Sequence, residues 1–137
     1  MYPAREIVDP RMNPGDEQYY DAASQGRLLL KHCLACGEDH HYPRALCPLC
    51  FSDKLEWKNA IGTGVIYSFS VTRKAGPTAY CIAYVTLDEG VTILTNIVDC
   101  DVNSVRIGQR VKVVFKKTVG GVSIPMFAPD EKWSAAA

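Results

Sequence analysis

The sequence predicts a mainly β protein in which a short N-terminal helix and a metal-binding ribbon precede a five-stranded antiparallel barrel. Three observations carry this expectation: two Cys-x-x-Cys pairs within residues 33–50, five alternating apolar runs at regular spacing after residue 62, and no long helical period between those runs. The composition is that of a folded chain, with 47% of its 137 residues apolar and 22% charged. The 15 basic and 15 acidic residues cancel, which speaks against a dedicated nucleic-acid binder. The N-terminal stretch lacks the apolar core of a secretory signal, and no segment approaches the roughly 18 apolar residues of a membrane span. A cytoplasmic protein without membrane contact is therefore expected.

Residues 1–26 read as an N-terminal arm and a short helix. Prolines at positions 3, 10 and 14 mark the arm as extended. Asp16 is the expected cap of a helix through Gln25, with Gly26 as its stop. Tyr19, Tyr20 and Ala23 give that helix an apolar face, and a helix this short needs a surface to dock on. Residues 27–60 form the ribbon: residues 27–32 run as a strand into Cys33, and residues 55–58 leave the cysteine segment as another. Gly62 and Gly64 break the chain and place a boundary near residue 60.

Residues 61–129 form the barrel. Val65, Tyr67, Phe69 and Val71 alternate with Ile66, Ser68, Ser70 and Thr72. Residues 80–87 and 91–98 are joined by Asp88-Glu89-Gly90, a turn that suits a hairpin with a bulge. Val111, Val113 and Phe115 alternate with Arg110, Lys112 and Lys116, and Gly120-Gly121 turns the chain into a last strand around residues 122–127. Closure into a barrel removes exposed edges, and five strands fit the OB type. Residues 130–137, ending in Ser-Ala-Ala-Ala, read as a frayed tail.

The two knuckles are Cys33-Leu34-Ala35-Cys36-Gly37 and Cys47-Pro48-Leu49-Cys50, with ten residues between them. A Cys-x-x-Cys turn aims both sulfurs at one point, and the next residue is often Gly because the turn needs positive φ. Two facing knuckles supply four thiolates in a tetrahedron, the geometry Zn2+ prefers. In a reducing compartment such clustered cysteines bind metal rather than form disulfides. Iron in the same four-sulfur site is the nearer rival. With Cys33, Cys36, Cys47 and Cys50 all used, no position stays open for substrate, so the ion is structural and contributes on the order of 10 kcal/mol to folding the segment. His32, His40 and His41 then fall outside the ligand set. Cys81 alternates with Ala83, Val85 and Leu87 as a core residue, and Cys100 lies between two carboxylates that make it a poor nucleophile.

No nucleophile elbow, phosphate loop, dinucleotide fingerprint or zinc-protease motif occurs in the sequence. Arg106, Arg110, Lys112, Lys116 and Lys117 make a basic stripe, read as a solvated strand face rather than a phosphate site. Tyr67, Phe69, Tyr80 and Tyr84 could stack bases, but their places in alternating runs point to core packing for most of them.

The order of these features resembles the DUF35 family. A short helix leads into Leu-Leu-Leu-Lys-His-Cys at residues 28–33, and Tyr42-Pro43-Arg44 lies between the knuckles. Leu55-Glu56-Trp57, Gly62-Thr63-Gly64-Val65-Ile66-Tyr67-Ser68, Val85-Thr86-Leu87-Asp88-Glu89-Gly90, Arg106-Ile107-Gly108-Gln109-Arg110-Val111 and Pro125-Met126-Phe127 follow. The resemblance runs from about residue 18 to 129. It implies a rubredoxin-like zinc ribbon followed by an OB-fold, in a non-catalytic accessory subunit of a thiolase-type acyl-CoA enzyme complex. Such subunits pair with thiolases, thiolase-like aldolases or hydratases acting on coenzyme A thioesters of fatty-acid-like, sterol or aromatic acyl groups. The catalytic residues belong to the partner, and no residue here matches them. The resemblance thus implies a chain that helps form the CoA-binding region and stabilises its partner, with Lys31, Arg44 and Lys54 beside the knuckles as candidate CoA contacts. The rival functions are a single-stranded nucleic-acid-binding OB-fold, which zero net charge disfavours, and a redox protein with iron in the four-cysteine site.

Overall fold

The computed structural model describes residues 6–74, 76 and 78–130. The first five residues of the expected arm and residues 131–137 of the expected tail lie outside these. Helix α1 spans Asp16–Ser24 and buries Tyr19, Tyr20, Ala22 and Ala23, so the apolar face anticipated from its spacing is the docked one. Asp16 is not the cap. Gly15 precedes the first turn, and the Asp16 carboxylate reaches back to accept the Asn13 N–H at 2.9 Å. The helix stops one residue short of Gln25: the Gly26 N–H returns to the Ala23 carbonyl and the Arg27 N–H to Ala22, satisfying the last-turn carbonyls.

Strands β1 (Leu29–Cys33), β2 (Asp39–His40) and β3 (Leu55–Asn59) form a three-stranded antiparallel sheet in the order β2-β1-β3. The two-residue β2 lies between the knuckles and is too short for a sequence period to show. Strands β4 (Thr63–Thr72), β5 (Tyr80–Leu87), β6 (Thr92–Ile97), β7 (Arg110–Lys117) and β8 (Ser123–Pro129) close into a barrel in the order β4-β5-β6-β8-β7. The expected turns are there: Leu87 N–H bonds to Val91 O across Asp88-Glu89-Gly90, and Thr118 N–H bonds to Val122 O across Gly120-Gly121. The barrel is not wholly antiparallel. Strand β8 returns past β7 to lie beside β6, and Ile97 pairs with Phe127 in parallel. The physical reason is the connectivity: β6 and β8 are separated by one strand, with a chain reversal on each side of it, so they run the same way.

One core joins the parts. Tyr19, Tyr20, Leu28, Leu29 and Leu30 cluster with Ile66, Val85, Val111 and Phe127 of the barrel, and α1 lies over β8. The arm is tied down as well. Val119 N–H donates to Ile7 O, and Asp9 accepts the Gly120 N–H and the Thr118 hydroxyl at the β7–β8 turn.

Cys81, Ala83, Val85 and Leu87 point inward as the alternation of β5 requires. The aromatic residues do not follow expectation. Tyr67 is 69% exposed, Tyr84 48% and Phe69 36%, and only Tyr80 is half-buried. A bulge between Ile66 and Ser68 shifts the register of β4 at Tyr67, and in β5 it is the small and aliphatic residues that take the narrow interior.

Gly64 shows how tight that interior is. A Cβ there would stand 2.6 Å from Thr86 O and 2.9 Å from Val85 Cγ1. Gly64→Ala is expected to lower stability by about 1–3 kcal/mol in a urea melt, because backbone must move to admit the methyl. Gly76→Ala, where nothing stands within 4 Å of the added Cβ, is expected to stay within about 0.5 kcal/mol of the parent.

Candidate metal centre and the helix that braces it

The two knuckles are built alike, fourteen positions apart in sequence. In the first, Gly37 N–H returns to Cys33 O at 2.9 Å and Cys33 N–H bonds to Glu38 O at 2.9 Å. In the second, Phe51 N–H returns to Cys47 O at 2.8 Å and Cys47 N–H bonds to Ser52 O at 2.9 Å. The residue after each knuckle must take positive φ, 78° at Gly37 and 65° at Phe51. Gly37 meets this at no steric cost, whereas Phe51 is a bulky side chain in a glycine's place, 76% exposed. Phe51 holds in the second knuckle the position that Gly37 holds in the first, so the alignment of the two Cys-x-x-Cys pairs is the signal that marks it.

The turns bring Cys33, Cys36, Cys47 and Cys50 together, with all four Sγ atoms within 4.8 Å of one another. Cys33 Sγ lies 3.6 Å from Cys50 Sγ, and Cys36 Sγ lies 3.8 Å from Cys47 Sγ. A tetrahedron with metal–sulfur bonds of about 2.3 Å has edges of about 3.8 Å, so this spacing fits a four-thiolate zinc site. Backbone N–H groups support the charge such a site carries. Cys36 N–H points at Cys33 Sγ at 3.5 Å and Leu49 N–H at Cys47 Sγ at 3.4 Å. The Cys36 amide is the main reason the Cys33 thiol is drawn down to about 6. Cys33 and Cys47 are fully buried, while Cys36 and Cys50 face outward.

No histidine joins this cluster. His32 donates from Nδ1 to Asp39 Oδ1 at 2.6 Å, and Lys58 Nζ reaches the other Asp39 oxygen at 2.6 Å, tying β1, β2 and β3 through one carboxylate. Burial would raise the Asp39 pKa, but the hydrogen bonds from Lys58 and His32 outweigh it and hold the carboxyl below its ordinary range. His41 and Tyr42 brace the helix instead. Tyr19 Oη meets His41 Nε2 at 2.9 Å and Tyr20 Oη meets Tyr42 Oη at 2.6 Å, with the His41 and Tyr42 rings stacked at 4.8 Å. Burial, then the charge of Tyr42, pushes the Tyr19 hydroxyl well above its ordinary value, so it keeps its proton and donates to a neutral His41. This clamp was not read from the sequence, because nothing in the spacing says that residues 22 positions apart meet.

Lys31 sits with its ammonium 4.2 Å from the Trp57 ring centre, and its backbone pairs with His40. Lys31 and Arg44 both depress the pKa of the buried His40, after burial itself. Lys54 lies past the second knuckle, where its carbonyl accepts Leu34 N–H. In the basic stripe, Arg110 forks onto Asp88 at 2.9 and 3.2 Å and Lys116 onto Asp99 at 2.7 and 2.9 Å, while Arg106, Lys112 and Lys117 are exposed. Cys81 is fully buried, its thiol pushed up to about 11 by burial and by Cys100. The Cys100 thiol is raised mainly by burial, with Asp101 and Asp99 adding to it. Both are poor nucleophiles.

Residues 21–56 match the family described as the ChsH2 rubredoxin-like zinc ribbon domain, and residues 57–116 match the ChsH2 C-terminal OB-fold domain. The chain is 40% identical over 93 residues to a DUF35 domain-containing scaffold protein of Methanothermobacter thermautotrophicus, covering 62% of this chain and 68% of that one. It is 32% identical over 124 residues to a probable enoyl-CoA hydratase alpha subunit of Thermomonospora curvata, covering 88% of this chain but spanning only 39% of the relative's length. Among solved structures it resembles a chain of the Ltp2-ChsH2(DUF35) aldolase, with a TM-score of 0.76, 31% identity and coverage of 88% of this chain and 98% of that one.

His41 gives the site a pH dependence with a definite sign. Burial, then the charge of His40, holds its pKa at about 4 against an ordinary 6.5, so below pH 6.5 the unfolded chain takes up a proton that the folded chain refuses. With zinc in excess, stability is expected to fall between pH 6.5 and 4, by on the order of 3 kcal/mol from this residue. Denaturant melts of His41→Gln across that window are expected to show a flatter profile than the parent.

Proposed function

Because the chain belongs to the DUF35 family, we propose that it is a non-catalytic, zinc-binding accessory subunit of an acyl-CoA-processing complex. The partner in this reading is a thiolase or thiolase-like enzyme, or a hydratase-like one, acting on a fatty-acid-like, sterol or aromatic acyl thioester of coenzyme A. The observation that carries the non-catalytic part is the convergence of the cysteines. Cys33, Cys36, Cys47 and Cys50 would hold the ion with four sulfurs, leaving no coordination position for a water or a substrate. The zinc, when bound, supplies a rigid cross-link between the knuckles. The names of the relatives support the accessory part, since they describe a scaffold, a subunit and an aldolase named for two proteins.

A cavity of about 340 Å³ lies between α1 and the ribbon, lined by Gln18, Asp21, Arg27 and Trp57 among others, with no nucleophile and base facing each other. Trp57 Nε1 donates to Gln18 and Arg27 donates to Asn59 and Gln25. No helix of the described residues is long and apolar enough to cross a membrane.

Lys31, Arg44 and Lys54 are the proposed contacts to the phosphates of coenzyme A. Lys31 lies opposite His40 in the ribbon sheet, and the charges of Lys31 and Arg44 both act on that histidine, which supports a site for an anion. In this role the ribbon helps form the CoA-binding region and holds the nucleotide end of the thioester.

The purified chain is expected to be colourless with one zinc per molecule, and Cys47→Ser to lose that zinc and the ribbon's cooperative melt; a coloured, iron-loaded protein would point to redox chemistry instead. Isolated from its native host, the chain is expected to carry a stoichiometric acyl-CoA enzyme subunit. In that complex, reversing the charges of Lys31, Arg44 and Lys54 together should raise KM for the thioester roughly tenfold or more, with kcat little changed. Unchanged turnover would remove the three cations from the proposal, and a lone monomer would remove the accessory role.

A further inference from the structure

The barrel has five strands, and the outer faces of two of them are accounted for. Helix α1 lies over β8. Strand β7 carries Arg110, Lys112, Lys116 and Lys117, which suit it to water and to the ion pairs with Asp88 and Asp99. Among the described residues nothing covers the outer face of the three adjacent strands β4, β5 and β6, and no residue in any of these strands is ionic. The register sets Tyr84 beside Ser68 on one side and Leu94 on the other, and Ile82 between Ser70 and Asn96. Leu94 is 56% exposed and Ile82 39%, and Tyr67 at the β4 bulge adds the most exposed ring of the three strands. Around them stand neutral hydroxyls, with Thr86 and Thr92 bonded to each other at 2.9 Å. An uncharged apolar centre with tyrosines and a hydrogen-bonding rim is the composition of an interface core, and an ordinary solvated strand face carries charge.

We propose that the outer face of β4, β5 and β6, centred on Tyr67, Ile82, Tyr84 and Leu94, is the surface that docks the enzyme subunit. The proposal rests on the accessory-subunit reading and names the place of contact. Charge decides against other occupants. A nucleic acid would lay phosphates on a face with no cation to meet them, whereas a partner face that is itself neutral and apolar loses no hydration of ions on contact. Area decides against a second copy of this chain. Three strands about 4.8 Å apart and six or so residues long offer a flat patch of roughly 300 Å², well short of the roughly 800 Å² per side of a stable interface. Two copies meeting on this patch alone would dissociate, while a larger enzyme subunit covers the patch and continues onto the surface around it. Because the barrel is closed, docking is by side chains and not by adding a strand.

The test is hydroxyl-radical footprinting of the chain in its native complex against the free chain, read at Tyr67, Tyr84 and Leu94. Modification at these positions is expected to fall about tenfold in the complex. Tyr84→Lys with Leu94→Lys, both at exposed positions, is expected to keep the zinc content and melting temperature of the parent and to weaken the complex roughly 100-fold. An intact complex in which these residues stay as reactive as in the free chain overturns the docking face and leaves the accessory role standing. A chain that comes with no enzyme subunit overturns both. Protection that appears in the free chain as its concentration rises, or on adding single-stranded RNA, gives the face to a second copy or to nucleic acid and also overturns the proposal.

Discussion

Four sulfur atoms within 4.8 Å of one another make a demand on the chain that apolar burial does not meet. As thiols they gain little from such crowding, and as thiolates they repel unless a cation sits among them. The ribbon is organised around this constraint. Each knuckle closes by a return hydrogen bond from the residue after its second cysteine and by a second bond back to its first. Backbone amides point at the sulfurs, and the two buried cysteines are the first of each knuckle, Cys33 at the end of β1 and Cys47. The cost appears at Phe51, which takes a left-handed conformation that a side chain with a Cβ adopts at a penalty of about 1–2 kcal/mol.

The ribbon does not stand as a separate body joined by a flexible linker. Leu28, Leu29 and Leu30 share one cluster with the tyrosines of α1 and the interior of the barrel, and Ala60 N–H bonds back to Leu28 O where the sheet ends. The helix is held from both sides. Its tyrosine rings fill apolar space while their hydroxyls reach His41 and Tyr42 between the knuckles, so each ring's polar end is satisfied as it is buried. The arm, pinned by Asp9 to the β7–β8 turn, keeps the helix over β8. The outer surface of the barrel is therefore held in register with the ribbon.

Charge is distributed to match. Asp39, Asp88 and Asp99 each hold a cation from another strand, which pins the ribbon sheet and β7 through their carboxylates. At the surface such pairs contribute about 0–1 kcal/mol each, so their effect is on solubility and orientation more than on stability. Concentrating the ions there leaves β4, β5 and β6 neutral.

Features that depend on local spacing could be read from the residues alone. The two knuckles, the helix with its buried tyrosines, the hairpin at Asp88-Glu89-Gly90 and the five barrel strands were all legible, because periods of two residues and turns of three act within a few bonds of the chain. Cys81 was placed inside by the same alternation. The same alternation puts Tyr84 on the outer face of β5, against the core packing expected of most of the aromatic residues, whereas the fate of Tyr67 beside the β4 bulge and of Phe69 beyond it was settled by the closed barrel. The tertiary structure also decided the parallel pairing of β6 with β8, the meeting of Tyr19 with His41, and the role of Asp39 as a hub. Each of these joins residues that the chain separates but closure of the barrel and folding of the ribbon bring together, and no local period carries information about such contacts.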